Sequence, residues 1–340
     1  MPNQSLVLVT GVTGFIGSHV AVTLVNNGYR VRGAVRSMEK AEELVGLNPE
    51  LKDKVEFVFV KDIVAPNAFK DAVQGCDYIC HVASPFFYEN VTDNKTQLLD
   101  PAHKGTINIL EASLNEPKVK RVVITSSFVA IGDFMKDPYS GSTYTEKDWN
   151  PISYEEALET KNGFAAYCAS KKFAEIAARN FVKERQPHYD MCTVNPSLVI
   201  GPPIHPMKTM ESLNASNRLL WSLINGSKAQ PSFQHVQVDV RDIANAHVVA
   251  IEKPEMSNGR MLVSKGPFIT NDVCKILREE FPEMKDVISE PTDVPFNDKH
   301  YKSDNSYSIS LGLQYYSEKQ TYIDTALKLW ERAKQLALVR

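Results

Sequence analysis

The chain has 340 residues, enough for one large α/β core with or without a smaller second lobe, and its 43% hydrophobic content is that of a globular protein. Its 38 basic and 41 acidic residues are interspersed and leave a formal net charge of -3. That balance lacks the clustered basic footprint of a nucleic-acid or anionic-membrane binder and points to a small-molecule partner.

The first apolar run, Leu6 to Val9, has no basic segment before it and is too short for a signal peptide; no stretch of about 18 apolar residues follows. A cytoplasmic location with no membrane partner is expected. Cys76, Cys80, Cys168, Cys192 and Cys274 contain no Cys-x-x-Cys pair and no histidine at metal spacing, so neither a disulfide framework nor a metal site is expected. Runs rich in β-branched residues at Leu6–Val9, Tyr29–Val35, Val55–Val60, Tyr78–Val82, Arg121–Thr125 and Met191–Val194 predict strands. Segments at helical spacing, such as Gly14–Asn27 and Thr106–Asn115, lie between them. This alternation predicts an α/β fold, a Rossmann-type doubly wound parallel sheet with helices on both faces.

After Asn195-Pro196 the character changes, with Pro202, Pro203 and Pro206 close together and a strand-to-helix unit from Val236 to Ile251. The expected division is a dinucleotide-binding domain over residues 1–195, to which 236–258 returns, and a smaller C-terminal substrate-binding lobe made of 196–235 and 259–340. The polar stretch from Pro202 to Ser216 reads either as a flap over a pocket or as an ordinary surface loop.

Directly after the first strand stands Thr10-Gly11-Val12-Thr13-Gly14-Phe15-Ile16-Gly17. Glycines at a strand-to-helix turn permit tight turning and close backbone approach, and the helix N-terminus offers free N–H groups to a pyrophosphate. The second strand ends in Arg36, with Lys40 one turn further on, where a site selecting NAD carries an acidic residue. A guanidinium there suits the 2′-phosphate of NADPH. Asp62, at the end of the third strand, is placed either to accept from an adenine amine or to cap the next helix.

Tyr167 and Lys171 are four apart in a strongly helical stretch, so phenol and ammonium share one face. Carbonyl reduction needs a proton as well as a hydride, and a neighbouring ammonium makes a phenol of pKa about 10 a better donor. The spacing recurs at Tyr315 and Lys319, but only Tyr167 follows a strand ending in hydroxyls, Arg121-Val122-Val123-Ile124-Thr125-Ser126-Ser127. Ser127 would sit at the carboxyl end of that strand, ready to hydrogen-bond a substrate oxygen.

Together these motifs resemble the extended short-chain dehydrogenase/reductase family, and within it the dihydroflavonol reductase-like group that includes yeast NADPH-dependent methylglyoxal and 3-methylbutanal reductases. His81-Val82-Ala83-Ser84-Pro85-Phe86, Val194-Asn195-Pro196 with Gly201-Pro202, and Val238-Asp239-Val240-Arg241-Asp242-Ile243-Ala244 also carry the likeness, which spans nearly the whole chain. It implies that Ser127, Tyr167 and Lys171 are catalytic. It implies that Gly11, Gly14, Phe15, Ile16, Arg36, Lys40, Asp62, Ala83 and Pro196 contact NADPH, with Ser197 and Val199 nearby. Phe86 and Phe128 would be either pocket walls or core. Asn108 stands on the helix that carries a fourth catalytic residue in the family, or else satisfies neighbouring backbone. Gly17 replaces an alanine of the yeast reductases, a small change. The implied activity is NADPH-dependent reduction of a small aldehyde or ketone. Two alternatives share the motifs in part: an NAD-retaining sugar-nucleotide epimerase or dehydratase, against which Arg36 and Lys40 argue, and an NADP-sensing regulator, against which the Tyr/Lys pair argues. No sequence feature specifies an oligomeric state.

Overall fold

A computed structural model describes residues 5–84, 91–227, 234–292 and 297–338. Strand β1 (Leu6–Thr10) is buried along its whole length, as a strand covered on both faces must be. It feeds α1 (Phe15–Asn26) through the glycine turn. β2 (Arg30–Val35), α2 (Met38–Leu47) and β3 (Val55–Phe59) wind outward on one side of β1. The chain then crosses to the other side, where β4 (Tyr78–His81), α3 (Asp100–Leu114) and β5 (Arg121–Thr125) follow. A two-residue β6 (Thr143–Tyr144), a short α4 (Tyr154–Glu159) and the long α5 (Gly163–Arg185) lead to β7 (Asp190–Pro196) beside β5.

β8 (Leu198–Ile200) and α6 (Ala215–Ile224) leave this sheet, and β9 (Gln234–Asp239) pairs parallel with β8. α7 (Val240–Glu252) crosses back to pack along α1, and β10 (Arg260–Val263) joins β7 in parallel. β11 (Gly266–Ile269), α8 (Thr270–Glu280), β12 (Lys302–Ser303), α9 (Ser306–Ser310) and α10 (Glu318–Leu338) complete the described chain.

The large sheet runs β3-β2-β1-β4-β5-β7-β10 with every pair parallel, the doubly wound α/β arrangement expected. Its winding reverses between β1 and β4, so the carboxyl ends of those strands open a crevice. On one face Val20, Leu24, Ile243 and Ala246 of α1 and α7 pack against Val7, Val9 and Val123. On the other, Ile109, Leu110, Ala178 and Phe181 of α3 and α5 pack against Leu8, Ile79 and Val122. A separate core, including Ile200, Leu220, Phe268, Leu277 and Leu329, lies between the small sheet β11-β9-β8 and α6, α8 and α10. Among the described residues no helix is long and apolar enough to cross a membrane.

The expected division is corrected in two places. β9 belongs to the small sheet rather than returning with α7 to the large one. β10, expected in the smaller lobe, is the edge strand of the large sheet. After α7 the chain turns at Asn258, whose φ is 54°, and runs back alongside β7.

Candidate active site

The turn after β1 is built by its glycines. Gly11 has a φ of +66°, and a Cβ there would stand 3.1 Å from the backbone of Ala83. A Cβ on Gly17 would fall 2.2 Å from the Gly11 carbonyl oxygen. The expectation that alanine at 17 is a small change is therefore corrected: it requires the loop to move. Thr10 stitches the crevice, its hydroxyl accepting from the Ala83 N–H at 3.0 Å and sharing a hydrogen bond with His81 Nδ1 at 3.0 Å. Burial pulls the His81 pKa down to about 3, so the ring is neutral and has one nitrogen able to accept. Gly14 is the N-cap of α1, and no side chain caps the first-turn N–H groups. The helix therefore points unused donors and its positive end into the cleft lined by Gly11, Gly14, Phe15 and Ile16.

Arg36 and Lys40 line the same cleft beyond this turn, exposed and without an ion-pair partner among the described residues. Asp62 lies there too, and its Oδ1 accepts from Val64 N–H at 3.0 Å, closing a turn rather than capping a helix. Asn108 does not reach the site. Its amide donates to the carbonyls of Ile63 at 2.9 Å and Ala65 at 3.0 Å, and so holds the loop that presents Asp62. The geometry favours the second of the two readings given for this residue, satisfaction of neighbouring backbone.

At the other end of the cleft, β5 ends in the hydroxyls. Ser127 Oγ accepts from Val129 N–H at 3.2 Å, which orients its lone pairs and leaves its own proton for another acceptor. α5 starts at Asn162, whose Oδ1 accepts from the N–H groups of Phe164 at 3.0 Å and Ala165 at 3.2 Å. One turn on comes buried Tyr167, then Lys171, then Glu175, all on one face. Ser127, Tyr167 and Lys171 line one cleft, together with Ala83, Pro196, Ser197 and Val199. Burial pulls the Lys171 pKa down to about 8, so it is still mostly charged at neutral pH. The repeated pair at Tyr315 and Lys319 comes apart: the Tyr315 hydroxyl meets Ser308 Oγ at 2.7 Å, and Lys319 pairs with Glu280 at 3.0 Å.

Behind the hydroxyls sits a polar layer the sequence reading missed. Glu175 is 2% exposed and accepts from Ser126 Oγ at 2.6 Å, Asn195 Nδ2 at 2.9 Å, Arg260 Nε at 2.5 Å and Arg179 Nη2 at 3.2 Å. Asn195 also donates to the Ser127 carbonyl at 3.2 Å. One carboxylate thus ties α5 to the ends of β5 and β7. The signal was present, since Glu175 is one more helical turn past Lys171. His247 donates from Nδ1 to the Ile243 carbonyl and accepts at Nε2 from Thr125, each at 2.7 Å; burial pulls its pKa down to about 4 and keeps it neutral.

Phe128 is 1% exposed, so it is both core and cleft wall, meeting the Phe134 ring at 5.6 Å and the Tyr301 ring at 6.1 Å. Phe86 lies outside the described residues. The stretch after Pro202 is a strap tied at its start: His19 Nε2–H donates to the Pro202 carbonyl and Asn48 Nδ2 to the Ile204 carbonyl, both at 2.9 Å, and exposed Lys208 pairs with Glu39 at 3.1 Å. The cleft measures about 1640 Å³. A pocket for one small molecule spans roughly 300–1,000 Å³, so this one has room for a dinucleotide and a substrate together.

Comparison with known proteins agrees with this fold. The model of the NAD dependent epimerase/dehydratase family matches residues 7–263. An uncharacterized oxidoreductase of Schizosaccharomyces pombe is 63% identical over 97% of this chain and 98% of its own. The NADPH-dependent methylglyoxal reductase GRE2 of Saccharomyces cerevisiae is 36% identical over 95% of this chain and 97% of its own. Among solved structures, yeast methylglyoxal/isovaleraldehyde reductase Gre2 complexed with NADPH superposes with a TM-score of 0.88 at 33% identity, over 97% of this chain and 99% of that one.

Proposed function

The chain belongs to the NAD dependent epimerase/dehydratase family, and within it we propose that this protein is an NADPH-dependent reductase of a small aldehyde or ketone, with Tyr167 as proton donor. The observation that carries the proposal is one cleft holding a phosphate-type glycine turn and two cations, unpaired among the described residues, at one end and Ser127, Tyr167 and Lys171 at the other. The residues fit a dinucleotide with a 2′-phosphate. A Cβ on Gly11 or Gly17 would meet the backbone of Ala83 or of Gly11 itself and force the turn that forms the cradle to move. Arg36 and Lys40 stand free to take a phosphate, where an NAD site would place a carboxylate. The buried Ser197 Oγ has no partner among the described residues, as suits a hydroxyl kept for a ligand amide.

In this reading Gly11, Gly14, Phe15, Ile16 and Ala83 hold the pyrophosphate region, Arg36, Lys40 and Asp62 the adenosine end, and Pro196, Ser197 and Val199 the nicotinamide end. When bound, NADPH supplies the hydride to the carbonyl carbon. Ser127 donates its hydroxyl proton into a hydrogen bond to the carbonyl oxygen, where negative charge develops. Tyr167 gives that oxygen its proton, and the Lys171 ammonium lowers the cost of the phenolate left behind. The aromatic wall of Phe128, Phe134 and Tyr301 excludes water and favours an apolar substituent on the carbonyl. The five free, buried cysteines suit a reducing compartment, in keeping with a cytoplasmic enzyme.

The test is NADPH consumption by purified protein, against NADH, with short aldehydes, α-dicarbonyls, prochiral ketones and a dihydroflavonol. Oxidation of NADPH far faster than NADH with at least one carbonyl supports the reading. Silence with every carbonyl despite NADPH binding would sink it, and tightly held NAD in the purified protein would favour an epimerase.

A further inference from the structure

The strap between β8 and α6 carries a histidine to which the reading above gives no task. His205 is 6% exposed, lines the cleft, and sets its ring 5.7 Å from that of Phe15, the first residue of α1. Its Nδ1 is buried with no partner among the described residues. Burial first, then the charges of His19, Arg332 and Lys40, pull its pKa down to about 3, so the ring is neutral in any ordinary buffer. A neutral imidazole carries one N–H. Which nitrogen carries that proton is set by the partner the ring finds.

The surroundings select an anion. The positive end of α1 lies beside Phe15, Lys40 is among the cations acting on His205, and the start of the strap is tied down by His19 and Asn48. We propose that His205 is a phosphate ligand of the bound dinucleotide, donating its ring N–H to a phosphate oxygen, so that the strap closes the phosphate side of the cleft. This rests on the reductase reading above and adds to the site a residue from outside the glycine turn and the β2 end.

The experiment is calorimetric titration of the full chain with NADPH and with NADH, for wild type, His205→Phe and His205→Gln. Phenylalanine keeps the ring against Phe15 and removes the N–H; glutamine restores a donor. His205→Phe is expected to raise the NADPH Kd about tenfold, the weight of one hydrogen bond to a charged group, with His205→Gln closer to wild type. Weakening of NADPH and NADH alike supports a pyrophosphate contact, and weakening of NADPH alone a 2′-phosphate contact. A His205→Phe Kd within about twofold of wild type for both would overturn the proposal while leaving the reductase reading intact. Wild-type protein that binds neither dinucleotide would overturn both.

Discussion

Replacing Glu175 with alanine tests how α5, which carries Tyr167 and Lys171, is held. The carboxylate is 2% exposed and pairs with Arg260, itself 8% exposed, at 2.5 Å. In the alanine variant Arg260 loses its counter-charge. Three backbone carbonyls, of Glu146, Asp148 and Ala130, still accept from it, and its guanidinium still stacks 3.7 Å from the Trp149 ring. Removing one partner of a buried pair costs about 3–5 kcal/mol, and those remaining contacts put the expected loss near the lower bound, about 3 kcal/mol. That is a large share of the roughly 5–15 kcal/mol that holds a typical protein folded. Urea titration followed by far-UV circular dichroism reads it as the midpoint shift multiplied by the shared slope.

A double variant, Glu175→Leu with Arg260→Met, is expected to recover part of the loss, because no charge is then left buried alone. The pH dependence has a defined sign. Burial alone would raise the Glu175 pKa, but the charge and hydrogen bond of Arg260, with Arg179 and Ser126, outweigh it and hold the carboxyl below its ordinary value. Its stabilisation is therefore full above the unfolded carboxylate pKa and is lost as pH falls through the depressed folded value, so wild type and alanine variant converge in acid. A loss below about 1 kcal/mol at neutral pH would refute the reasoning, since the pair would then behave like an exposed one.

Three further outcomes are expected. Arg36→Ala should weaken NADPH tenfold or more, as a charge-assisted contact to the 2′-phosphate is lost, and leave NADH nearly unchanged; paired titrations check it. Gly11→Ala should lower affinity for both dinucleotides tenfold or more, because its φ of +66° and the 3.1 Å approach to Ala83 leave no strain-free place for a Cβ. The kcat/KM for reduction should fall as pH rises through about 8, where Lys171 loses its charge; the residual activity of Lys171→Arg should lack that break.

The parts of the site legible in the sequence are those whose chemistry is local. Gly11, Gly14 and Gly17 mark a strand-to-helix turn because only glycine fits it, and Tyr167 with Lys171 is written in helical spacing after a strand that ends in hydroxyls. The parts that were not legible depend on partners distant in the chain. Nothing beside Asn108 announces that its amide is taken by the carbonyls of Ile63 and Ala65. Glu175 owes its burial to Arg260, 85 positions later. The same holds for the fold: alternating strands and helices identified the doubly wound sheet, whereas the four-residue β10 is assigned to that sheet only by its pairing with β7. The strap after Pro202 looked like a candidate flap because the bonds that pin it come from His19 and Asn48.

The central claim, that this cleft reduces a carbonyl with Tyr167 as proton donor, is tested most directly by comparing wild type and Tyr167→Phe in two assays. These are NADPH oxidation with the best carbonyl of the panel and NADPH binding by calorimetry. The account predicts a loss of at least about a hundredfold in kcat with NADPH affinity within about threefold of wild type, because the phenol acts on the substrate oxygen and not on the cofactor phosphates. Undiminished turnover by Tyr167→Phe would contradict it and move the proton donor elsewhere in the cleft.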